Sequence, residues 1–241
     1  MSARIDLAAY AQELEAFAAL AEDFVDRSST LRLSDVVRQL QTGVGLGTRR
    51  WSWETRANIV FRPSTAYDGP GRVHAETWLE LGFKLDFTRP ASVRRQVTVW
   101  EVESAATHVR LHKQGGDMSF HFDCKNDQQW GPQLHFQVSE AMGNLPIPRI
   151  ASAIFLPSDC ADLALAELHH EEWRRLQAAG TSARHVSVIR DAQEYRTMSY
   201  LRNIDAFWKG SRASTRVSML QDYTASSITL PDQRGRTAAS W

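Results

Sequence analysis

The sequence predicts an α+β fold: an antiparallel meander of five to six strands with N-terminal and C-terminal helices packed on its apolar face. Three observations lead there. Residues 72–87 alternate strictly, with Val73, Ala75, Thr77, Leu79, Leu81, Phe83, Leu85 and Phe87 on one side and mostly polar residues on the other. Alternation that long marks a strand with one buried face. Between 94 and 139, further alternating runs are joined by segments too short for a crossover helix, so neighbours pair antiparallel. The flanking stretches repeat apolar residues at three- and four-residue steps, the period of amphipathic helices.

In chain order, the spacing of Ile5, Leu7, Tyr10, Leu14, Phe17, Leu20 and Phe24 predicts a helix over 5–26. Ser34 and Asp35 offer a start for a second helix, and Gly43 a stop. The run Gly43-Val-Gly-Leu-Gly47 invites a phosphate reading, but phosphate loops lead from a strand into a helix and this one leaves a helix for a strand at 57–62. After the strand at 72–87 come strands at 94–104, 107–113, 117–124 and 133–139. Pro157-Ser158-Asp159 opens a helix reaching about Gln177 and stopped by Gly180, and another spans roughly 182–208. Residues 1–210 read as a single domain. The Ser-, Thr- and Arg-rich stretch 211–241 reads as a flexible or partner-bound tail.

Lys and Arg number 28 and so do Asp and Glu, so no net field draws the whole chain to nucleic acid or an anionic membrane. No run approaches a membrane span, and the acids in the first apolar stretch break up any signal-peptide core. Two cysteines are too few for a disulfide framework. The expected location is the cytoplasm.

The faces of the meander follow from its turns. Centring a two-residue hairpin on Gly115-Gly116 sets Val109 against Phe122 and Leu111 against Phe120, with Arg110 facing His121 and His108 facing Asp123. A turn at Ala105-Ala106 sets Glu101 against Arg110 and Glu103 against His108. A loop over 125–132 sets Asp123 against His135 and His121 against Gln137. All three turns agree on which side is apolar. They predict two polar rows across one face: Glu103–His108–Asp123–His135 and Glu101–Arg110–His121–Gln137.

Several chemistries suit these residues. An antiparallel sheet commonly keeps one wet face, which can also meet a partner. Two imidazoles flanking a carboxylate, His108, Asp123 and His135, match a zinc or iron ligand set by type, although parallel side chains on a flat sheet converge poorly. The repeats His121-Phe-Asp123 and His135-Phe-Gln137 lack the hydroxyl residue that two-histidine phosphoesterases carry. Arg49, Arg50, Trp51, Trp53 and Arg56 interleave cations with rings, as single-strand nucleic-acid binders do. His169-His170-Glu171-Glu172 sits on a helix with its histidines about 100° apart, the posture of a solvated face.

The segments Phe120-His-Phe-Asp123, Leu134-His-Phe-Gln137, Leu145-Pro-Ile-Pro-Arg149 and Leu168-His-His-Glu-Glu-Trp173 resemble a family of uncharacterised bacterial proteins. Those proteins share an aromatic-flanked His-x-Asp strand, a His-x-Gln strand, a Pro-Arg connection and an acidic-Trp helix end. The resemblance covers roughly residues 118–176, marks 121, 123, 135 and 137 as one unit, and implies no activity. With no activated nucleophile, phosphate loop or strong metal-ligand spacing in the sequence, the expectation is a non-catalytic interaction or regulatory module: a subunit of a bacterial intracellular complex with a protein partner and no cofactor. A metal-dependent hydrolase and a single-strand nucleic-acid binder are the alternatives.

Overall fold

The computed structural model describes residues 3–64, 76–90, 98–113, 116–125, 134–139, 150–151 and 155–210. The tail 211–241, the first residues of the strands expected at 72 and 94, and the Pro148-Arg149 connection lie outside the described residues. Among these residues the chain forms β1 (Ala3–Asp6), α1 (Leu7–Ala21), α2 (Arg27–Gly45), β2 (Arg50–Glu54), β3 (Ile59–Val60) and β4 (Thr77–Thr88). There follow β5 (Val99–Lys113), β6 (Gly116–Lys125), β7 (Leu134–Ser139), β8 (Ile150–Ala151), α3 (Pro157–Leu168), α4 (His170–Ala178) and α5 (Ala183–Gly210). The fold is the expected α+β one, with eight strands where five to six are predicted.

Among the described residues the strand pairings are antiparallel, and β4 to β8 run in sequence order across the sheet. Two long strands organise it. One edge of β4 receives β2 and β3 in succession. The far edge of β5 receives β1 against Val99–Val102 and β6 against Ser104–Lys113.

Three expectations are corrected. No turn occurs at Ala105-Ala106: β5 runs straight through, and the apolar phase changes because Glu103 is an extra residue, with Asp86 opposite Ser104 and Phe87 opposite Val102. The pairing of β5 with β6 sets Lys113 against Gly116 and Val109 against Phe120 in place of Phe122. The shift from the expected register is two residues, which preserves the sidedness of every side chain. The helix expected from 157 to about 177 breaks at His169. There a buried imidazole donates from Nε2 to the Arg62 carbonyl at 3.0 Å and meets the Phe24 ring edge-on, 5.3 Å away.

Helix boundaries also moved for local reasons. Asp6 caps α1 by accepting the Ala8 and Ala9 N–H groups, which frees residues 3–6 to form β1. Asp26 caps α2 through the Ser29 N–H, eight residues before the predicted Ser34 start. The Ser29 hydroxyl, wholly buried, accepts the Val60 N–H and ties that first turn to β3. Gly43 lies against the Trp51 ring where a Cβ would overlap it, so this glycine is required by close approach.

The helices cover the apolar face. Trp53, Phe61, Phe87, Trp100, Leu40, Leu165 and Phe17 are sealed there. The seal thins toward β6, where Phe120 and Phe122 are only partly buried.

Candidate functional site

The rows on the outer face are Gly82–His108–His121–Gln137, Glu80–Arg110–Ser119–Ser139, Lys84–Ala106–Asp123–His135 and Trp78–His112–Asp117. The expected pairings Asp123–His135 and His121–Gln137 are present. The expected pairings of His108 with Asp123 and with Glu103, and of Arg110 with Glu101 and with His121, are not. His108 and Arg110 lie on the same strand as Glu103 and Glu101, and the two-residue shift sets His108 against His121. Glu101 instead pairs with Arg4 of β1 at 2.9 Å, and Glu103, at the bulge, with Arg50 of β2 at 3.3 Å.

The face therefore centres on a histidine pair. The rings of His108 and His121 stand 5.5 Å apart at 44°, and His121 Nε2 is 3.4 Å from Asp123 Oδ2. Arg110 and His108 are exposed, whereas the His121 and Asp123 side chains are mostly covered, at 15% and 12%. Two rows along β5 from His108, His112 stacks on Trp78 with ring centres 4.9 Å apart. Its Nδ1 is 3.0 Å from Asp117, and its buried Nε2 is 3.4 Å from a Glu80 oxygen without forming a hydrogen bond. On the proposed ligand set, the register places His108 and His135 on different rows. Among the described residues no group of three or more His, Cys, Asp or Glu side chains is placed to hold a metal ion.

The set Arg49, Arg50, Trp51, Trp53 and Arg56 is divided by the sheet. Trp53 is sealed in the core, donating its ring N–H to the Val36 carbonyl at 3.0 Å. Trp51 stacks on Phe87 with centres 5.5 Å apart. Both rings lie on the apolar side, Trp53 buried and Trp51 partly buried, while Arg49, Arg50 and Arg56 are exposed. Both cysteines are free and buried. Burial, with Asp123 adding to it, pushes the Cys124 thiol up to about 12, and burial likewise raises Cys160 well above its ordinary value. Neither thiol is a nucleophile near neutral pH.

Sequence reasoning missed two features. The first is a buried polar cluster between α1, α3 and α5. Arg196 donates to both carboxylate oxygens of Glu13, one at 2.7 Å, and to Asp159. The Ser158 hydroxyl lies 3.3 Å from Glu13 Oε1 and 3.3 Å from the Tyr10 hydroxyl, with one proton to donate between them. Burial raises the Glu13 pKa against the pull of Arg196. Burial also works against the guanidinium, but Asp159 and Glu13 outweigh it and hold Arg196 above its ordinary range. Glu13 occupies an apolar-phase position of α1, and a lone acid in that phase is the signal that could have found it. The second feature is an apolar cavity of about 140 Å³ between β6 and α3.

Among the described residues no helix is long and apolar enough to cross a membrane. No family model, no curated protein and no solved structure matches this chain.

Proposed function

We propose that this protein is a non-catalytic interaction module that docks a protein partner on the histidine-bearing face of its sheet, as a subunit or regulator within a bacterial intracellular complex. The observation that carries this reading is the His108–His121 pair at 5.5 Å on neighbouring strands, with exposed Arg110 one row away. Imidazole and guanidinium groups standing side by side on a pleated surface make an array of donors that a partner can read. The opposite face is committed to the helices, which leaves this one for recognition.

The test is a His108→Ala/Arg110→Ala variant. Exposed side chains on a sheet contribute at most about 1 kcal/mol per pair, so the urea midpoint should barely move. Partner retention in quantitative affinity purification from the source cells should fall by about tenfold, because charged groups at an interface act on recognition. An unchanged partner profile refutes the proposal. So does about one zinc or iron per purified chain that is lost on His121→Ala, which would assign the face to metal chemistry.

A further inference from the structure

The core of this protein closes well around Trp53, Phe87 and Trp100 and less well between β6 and α3. There Met118, Phe120 and Phe122 of β6 face Cys160, Ala164 and Leu168 of α3 across a cavity of about 140 Å³. The cavity opens to the surface, because two residues that line it, Leu163 and Glu167, are exposed, Leu163 at 50%. An apolar cavity near 150 Å³ accepts a benzene-sized molecule, while water needs two to four polar partners to settle. Among the described lining residues only Glu167 offers an ionised group, and its place on the exposed side of α3 puts that charge at the mouth. Concave, apolar-walled sites with one polar group at the opening are the form that small-molecule sites take.

We infer that this cavity binds a small amphiphile, its hydrocarbon end of about six carbons held between β6 and α3 and a cationic amine head at Glu167. This site lies on the helix-covered face of the sheet and is independent of the histidine pair. Its geometry makes two demands on a ligand. The tail must match the space left by Met118, Phe120 and Ala164, and the head must complement a carboxylate.

Both demands can be measured with n-hexylamine, n-hexanol and hexanoate titrated into the full chain carrying ¹³C-methyl methionine. Met118 lines the cavity, and its methyl resonance, assigned by Met118→Leu, reports occupancy directly. Hexylamine, cationic at neutral pH, should shift that resonance saturably. Hexanol should bind about threefold to fivefold more weakly, the size of an exposed charge pair, and hexanoate about tenfold more weakly. Glu167→Gln, a change at an exposed position, should reduce the amine-to-carboxylate preference to about threefold or less. Ala164→Leu should abolish binding of all three by filling the space. If that variant fails to fold, the head-group preference and its loss in Glu167→Gln stand as the deciding measurement. The inference is overturned by the absence of a saturable Met118 shift, by hexanoate binding as tightly as hexylamine, or by a folded Ala164→Leu variant that binds as wild type does.

Discussion

Replacing Arg196 by Met should be among the most damaging single changes in this protein, and the damage should depend on pH. The guanidinium of α5 reaches into the domain and bonds both oxygens of Glu13, a side chain only 1% exposed, as well as Asp159. Met keeps most of the stem and removes the charge. Asp159 would keep the Leu156 N–H at 3.0 Å and its place in the first turn of α3, where the helix dipole favours an anion. Glu13 would keep only Ser158, at 3.3 Å. Removing one partner of a buried pair typically costs about 3–5 kcal/mol, since the other charge stays buried without compensation. Glu13 has one escape, which is to take up a proton. Its folded-state pKa is already raised by burial, and losing Arg196 raises it further. A raised carboxyl contributes stability that is fully present below the unfolded-state value and is lost as pH rises through the folded-state value. The Arg196→Met penalty should therefore be largest near neutral pH and shrink toward the ordinary carboxyl range. Urea titrations of wild type, Arg196→Met and Glu13→Gln/Arg196→Met at several pH values supply the measurement. The double variant should recover about half the loss or more, because no buried charge is then left alone. A single-variant loss under about 1 kcal/mol at neutral pH, or one independent of pH, would refute the reasoning.

Two further outcomes follow from local packing. Gly43→Ala would drive a Cβ into the Trp51 ring and should lower stability by about 1–3 kcal/mol. Gly45→Ala, with open space around it, should be neutral or slightly stabilising by thermal melt, and equal effects at the two positions would show that Trp51 does not press on α2. Burial lowers the His169 pKa, so its neutral ring contributes stability above the ordinary histidine range that is lost as pH falls through its lowered value. His169→Gln should consequently lose less stability than wild type between about pH 7 and about pH 5, and parallel curves would discount the buried imidazole.

The sequence by itself determined the α+β class, the antiparallel sheet, the alternating β4, and which side chains of β4 to β6 face the core. It could do so because sidedness depends only on parity. A two-residue turn and a one-residue bulge both reverse the alternation, so Ala105-Ala106 read as a hairpin where β5 in fact continues past Glu103. A hairpin centred one position earlier slides the partner by two residues and leaves every side chain on its face, so Gln114-Gly115 and Gly115-Gly116 fit the apolar pattern equally well. Parity therefore put His108, Arg110, His121 and Asp123 on one surface and left open which of them are neighbours. Only the tertiary structure decided that His108 meets His121, that Trp51 and Trp53 turn inward, and that Glu13 on α1 meets Arg196 on α5. The ends of the chain illustrate the same limit. Nothing in Ala3–Asp6 distinguishes a strand from the first turn of a helix until the exposed edge of β5 at Val99–Val102 offers its backbone groups for pairing. Local pattern sets which atoms must leave water. Which distant atoms then meet them is settled by backbone hydrogen bonds and close packing that no local pattern carries.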